Sequence, residues 1–267
     1  MSEQSSKSAL PLLSILTSCM VLAVDLFIFA LKPQTQAIPH LGLAVLVAQL
    51  LSLLVFYKGE ICPGQRGRLV KVNLAFALYW IVWMVVSLLP DNHHTLTNIM
   101  SLCGLSVVYF IWKQSKVEKA RNSFLLMAIL VAGLGGLSYF ILFSRLPLSA
   151  FAEYNLIAPI LAGVVLTNLG LVIAKNRLQN FIALLPLLMI VLLTLNALAM
   201  LIFLIFIGLQ SAFNPESIFA YTIYFICHFV IAAILVIHSF QKWTLGLNTL
   251  FILLFISVCL PLWMVFV

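Results

Sequence analysis

Residues 154–177 read YNLIAPILAGVVLTNLGLVIAKNR. Pro159, Gly163, Thr167, Gly170 and Ala174 recur at steps of four or three, so on a helix they form one stripe of small side chains. Asn168 stands beside that stripe, about 100° around the helix. Nearly everything else in the stretch is Leu, Ile or Val. A helix apolar on every side, with one narrow seam of small residues, suits lipid and close packing against a neighbouring helix.

The rest of the chain has the same character. Of 267 residues, 64% are hydrophobic and 8% are charged, against about 45–50% and about 25% in soluble domains. One aqueous core cannot bury that much apolar surface, so the solvent of this chain is the bilayer. Apolar runs near 9–31, 38–57, 69–89, 96–112, 124–144, 156–174, 180–209, 217–238 and 245–267 each approach the length that crosses about 30 Å of hydrocarbon. The runs are unbroken rather than alternating, so they predict helices and not barrel strands. The expected fold is an all-α, polytopic integral membrane helix bundle of about nine transmembrane helices, forming a single transmembrane domain over 1–267 without a soluble domain. The first run exceeds the core of a cleavable signal and reads as a retained helix.

The charges set the threading. With the N-terminus in the cytoplasm, all of the 14 Lys and Arg except Lys32 and Arg145 fall on the inner side. This is the positive-inside pattern, and it places the C-terminus outside. The net charge of +7 therefore reports orientation; a basic face for nucleic acid is missing. Asp91, Glu153 and Glu216 fall in outer loops, while Trp112 and Trp243 mark inner boundaries. The five Cys are scattered, with no CxxC or disulfide spacing.

Polar side chains at membrane depth are the candidates for function, because lipid makes them costly. Gln49, Asn168, Asn196 and His228 fall near the middle of their runs, and Tyr221, Tyr224 and His228 share one helical face. Together they predict a mid-membrane pocket for a small polar or amphiphilic solute. Asp25, the one acid inside a run, is the candidate protonation site. The competing reading makes the amides interhelical glue. Ala128, Ala132 and Gly136 form a second small stripe, expected to dock on Gly163, Thr167 and Gly170. The second and sixth runs both pair a proline, an amide and terminal cations, which fits parallel halves of runs two to five and six to nine; chance alignment of two apolar helices is the stronger reading of that match.

No catalytic set is readable: paired carboxylates, phosphate loops and HExxH are missing, and Cys103 with His228 is the nearest approach to a nucleophile and base. His40, His93 and His94 gather on the outer side without metal-ligand spacing, so neither a metal nor a cofactor is expected. The leading reading is a small permease of the bacterial inner membrane. A structural or assembly subunit contacting other membrane proteins is the alternative, and an intramembrane enzyme ranks third.

Overall fold

The structure, a computed structural model, describes residues 2–31, 37–90, 93–208, 215–241 and 243–266. Lys32, Asp91 and Lys242 lie outside the described residues. The elements are α1 (Ser2–Leu31), α2 (Gly42–Lys58), α3 (Pro63–Leu88), α4 (Thr95–Trp112), α5 (Glu118–Arg145), a 3₁₀ turn (Leu148–Phe151), α6 (Ile157–Ile173), α7 (Gln179–Gly208), α8 (Pro215–Phe240) and α9 (Leu247–Met264). Among the described residues there is no strand. Seven helices are long and apolar enough to cross a membrane, whereas α2 and α6 have 17 residues each.

Those two short helices form the centre. A 17-residue helix is about 25 Å long, less than the hydrocarbon thickness. The longer helices surround them, and α6 is buried along almost its whole length. Large apolar side chains such as Leu130, Ile202 and Phe229 face outward, Phe229 being 74% exposed. An apolar exterior around a core that contains buried amides, a carboxylate and an imidazole is the arrangement a lipid solvent requires.

Because α2 and α6 are short, the chain entering each of them lies inside the bundle. Ala37, Ile38, His40 and Leu41 are buried ahead of α2, and Ala152, Glu153, Tyr154 and Asn155 are buried ahead of α6. Irregular backbone is tolerated at such depth only where protein covers it and satisfies its polar groups. Asn155 Oδ1 accepts from the Ala158 N–H at 2.9 Å, satisfying an amide of the first turn of α6 from just outside the helix. At the other end, α6 closes with Lys175 in the left-handed region at φ 50°. The Asn176 N–H bonds the Leu171 carbonyl and the Lys175 N–H bonds that of Val172, the pairing of a Schellman motif.

Arg145 apart, the described Lys and Arg beside the helices from α2 to α7 gather at one end. There the Arg68 Nε donates to the Ala174 carbonyl at 2.7 Å, placing a cation on the C-terminus of α6, and Arg66 donates to Gln114 at 3.2 Å.

The small-residue seam of α6 docks on α2, not on α5, which α6 does not touch among the described residues. A Cβ built on Gly163 would come within 2.6 Å of the Ala44 carbonyl oxygen, and one on Gly170 would meet Val72 of α3 at 3.2 Å. Thr167 turns its hydroxyl back to the Gly163 carbonyl at 2.7 Å. On α5, Ala128 and Ala132 are buried as the sequence pattern suggests. The glycine that completes their face is Gly135, against Cys103 and Leu46; Gly136 has open space around it. The stripe runs one residue off because its partners are α2 and α4.

The helix neighbours agree with parallel halves only in part. α2 packs on α5 as α6 packs on α9, and α4 packs on α3 and α5 as α8 packs on α7 and α9. The match is partial, since α2 touches α4 while α6 and α8 do not meet among the described residues.

Candidate functional site

Three polar groups succeed one another along the bundle, from the end opposite the cations to the basic end. The first surrounds Asp25, which is fully buried on α1. Its Oδ1 accepts from the backbone N–H groups of His40 at 2.9 Å and Leu41 at 3.2 Å, and its Oδ2 accepts from the Tyr79 hydroxyl at 2.5 Å. The carboxylate thus sits on the N-terminus of α2, where the unpaired amides and the helix dipole favour an anion. His40 extends this group: Nδ1 is 3.8 Å from Asp25, Nε2 is 3.0 Å from Glu153 Oε1, and the ring stacks on Tyr154 at 4.2 Å. One imidazole joins the entry segments of both central helices.

The second group lies deeper, between α7 and α8. Asn196 Nδ2 is 2.7 Å from the Tyr224 hydroxyl and 2.8 Å from His228 Nε2. His228 Nδ1 faces the Tyr224 carbonyl at 2.9 Å, which makes Nδ1 the donor and Nε2 the acceptor. Asn155 reaches the same Tyr224 hydroxyl at 3.5 Å, linking this network to the entry of α6.

The third group borders a cavity of about 320 Å³ at the basic end of α6–α9, lined by Asn168, Gln179, Ile182, Pro186, His238 and Trp243 among others. Asn168 is 1% exposed, yet both its amide oxygen and its amide nitrogen have no hydrogen-bond partner. Pro186 inside α7 has no N–H, so the Ile182 carbonyl one turn back loses its helical partner at the same cavity. Trp243 and Thr244 are exposed where the cavity reaches the surface. Between the second and third groups, about 15 Å along α8, the buried side chains are apolar: Ile231 and Leu235 on α8, Met189 and Leu193 on α7.

The six residues expected to share one pocket are thus divided. Asn196, Tyr224 and His228 come together, with Tyr221 buried one turn away on the same helix face. Asn168 stands apart at its cavity. Gln49 belongs elsewhere: it accepts from Trp80 Nε1 at 3.1 Å and donates to the Gly104 carbonyl at 3.1 Å, tying α2, α3 and α4. A Cβ on Gly104 would overlap the indole of Trp80, itself fully buried. Gly104→Ala is therefore expected to lower stability by about 1–3 kcal/mol, read as a fall in melting temperature in detergent. Gly133→Ala, with nothing within 4 Å, should leave it unchanged.

The outer histidines also separate. His40 is inside, while His94 bonds Thr97 at 3.1 Å and Ser87 near the surface, and His93 is exposed. Partial burial pushes the His94 imidazole below its ordinary pKa, and His93 and Arg145 add to the shift. Among the described residues no group of three His, Cys, Asp or Glu side chains is placed to hold a metal ion. Cys103 on α4 and His228 on α8 lie on helices that do not meet, so no nucleophile–base pair forms there. Glu153, Asn155 and Tyr79 did not stand out in the sequence. The sequence carried little signal for them: the second and sixth apolar runs are longer than the fourth, and the shortening of their helices to 17 residues appears only in the structure.

A bundle with nine α-helices among the described residues, packed around buried amides and carboxylates and apolar outside, defines a multi-pass integral membrane protein. The chain belongs to the family whose profile is described as an integral membrane domain and matches residues 3–266. It is 71% identical over 267 residues to a Haemophilus influenzae (strain ATCC 51907 / DSM 11121 / KW20 / Rd) protein described as "Uncharacterized protein", covering 100% of both chains. No solved structure matches it.

Proposed function

We propose that the chain is a small permease of the bacterial cytoplasmic membrane, its basic end in the cytoplasm, passing a small uncharged polar or amphiphilic solute through α6–α9. The observation that carries this is Asn168. A buried amide without partners costs about 1–3 kcal/mol, and one bordering a cavity is suited to a ligand that offers both a donor and an acceptor. Among the described residues the cavity lining has no Asp, Glu, Lys or Arg, so an ion would find no charge there to offset its desolvation. The apolar layer of Met189, Leu193, Ile231 and Leu235 closes the way to Asn196, Tyr224 and His228. Pro186 gives α7 a natural point of bending at the cavity, one turn before that layer.

Asn168→Leu separates this reading from a purely structural subunit. A ligand amide is a liability to the empty fold, so Asn168→Leu should raise the melting temperature by a few degrees, in line with about 1–2 kcal/mol. In intact cells it should abolish the wild-type change in small-molecule content, measured by untargeted mass spectrometry at equal protein levels. Interhelical glue predicts the opposite sign of the stability change. A melting temperature that falls, or an unchanged cell content with and without the protein, rejects the permease.

A further inference from the structure

A second cavity lies at the basic end, away from the solute route. It has about 610 Å³ and is formed by the start of α3, the α4–α5 connection and the start of α5. Arg66, Lys71, Lys116 and Arg121 line it, and its lining has no acid. Arg66 and Arg121 are close enough to repel each other, with Glu118 the carboxylate acting on Arg66. The Nε of Arg121 is buried and has no hydrogen-bond partner. The N-termini of α3 and α5 flank the cleft, and the positive ends of their helix dipoles add to its potential. Four cations, one with a buried and unused donor, are a site short of an anion.

The walls say which anion. Below the cations the lining continues through Val70 to Leu74, and Leu74 opens onto the lipid-facing surface of α3 with Leu78 and Ile81. Trp112, 54% exposed, stands on the rim at the depth where indoles anchor to the headgroup layer. A cleft cationic at its mouth and apolar along its membrane wall is matched to a molecule with a phosphate at one end and acyl chains at the other. Basic pockets between membrane helices are a recurring form of headgroup site. We infer that this cleft binds an acidic glycerophospholipid, the phosphate among Arg66, Lys71, Lys116 and Arg121 and an acyl chain along Val70 and Leu74. A free phosphate could use the cations but would leave the apolar wall and Trp112 without a role.

The test uses the full chain in detergent, with cardiolipin, phosphatidylglycerol or phosphatidylethanolamine added singly and retained lipid counted by native mass spectrometry. The acidic lipids are expected to exceed phosphatidylethanolamine, with about a fivefold loss for each cation removed. Arg66→Gln with Arg121→Gln should bring them down to the phosphatidylethanolamine level. Gly67→Leu is the second variant: Gly67 lines the cleft and nothing lies within 4 Å of a Cβ there, so the substitution adds apolar bulk to the cleft and leaves its four cations in the sequence. It should displace the lipid equally. Lys113→Gln with Lys119→Gln removes two cations outside the lining and should have little effect. Equal retention of acidic and zwitterionic lipids overturns the assignment, as does retention insensitive to Gly67→Leu. So does loss as large from the Lys113 and Lys119 pair, which would reduce the effect to net charge. Displacement of the lipid by millimolar inorganic phosphate would point to a free anion instead and would also overturn it.

Discussion

Asp25→Ala is expected to destabilise the protein by on the order of 3–5 kcal/mol, the range for removing one partner of a buried charged group. The corresponding fall in melting temperature is roughly 10 °C, with little folded protein recovered from membranes. The carboxylate is the acceptor for two backbone amides at the start of α2 and for the Tyr79 hydroxyl. Deleting it strands three donors where water cannot replace the lost acceptor. His40 would also lose the group 3.8 Å from its Nδ1 while still facing Glu153. Asp25→Asn keeps an acceptor oxygen but not the charge that suits a helix N-terminus, so it should fall between wild type and alanine. The experiment also decides between two roles. A protonation site for transport would make Asp25→Asn fold normally and lose only pH-dependent solute movement. An anchor for the α2 entry makes both variants lose stability in proportion to the acceptors removed, which is the result expected.

What could be read in the sequence follows from what each signal depends on. Unbroken apolar runs between short basic connections depend only on the chain and its solvent, and among the described residues each run overlaps one α-helix, with α1, α3 and α5 extending into the polar residues ahead of theirs. The seam on α6 was legible as a seam because steps of four and three align small residues on any helix. Its partner was not, because adjacency in sequence favoured α5 whereas the bundle brings in α2 from across the chain. For the same reason the polar candidates could be placed in depth but not around the axis. Gln49 and Asn168 read alike, yet one meets Trp80 and Gly104 and the other meets a cavity. His40 and Glu153 were read as residues of the outer side, His40 at the start of the second apolar run and Glu153 in the loop before the sixth. The shortness of α2 and α6 is what draws those segments inward, and that consequence appears only once longer helices are packed around them.

Gly163→Val should prove as damaging as the loss of Asp25, for a steric reason instead of a polar one. The new Cβ would stand 2.6 Å from the Ala44 carbonyl oxygen and 2.7 Å from Val47 Cβ. Neither neighbour is the tip of a flexible side chain; both are fixed to the α2 backbone, so relief requires the two central helices to move apart. Overpacking in a core costs about 1–3 kcal/mol where side chains can adjust, and here the cost should reach or exceed the top of that range. The effect should also travel. α2 and α6 set the depth of their own entry segments, so separating them pulls His40 from Glu153 and Asn155 from Tyr224. Gly136→Val is the matched control, on a residue with nothing within 4 Å of a Cβ, and should melt within about 2 °C of wild type. Thermal unfolding of both proteins in the same detergent, with size-exclusion profiles before heating, makes the comparison. If Gly163→Val melts with wild type, or Gly136→Val falls as far, then close contact between α2 and α6 is not what holds the centre of this bundle together.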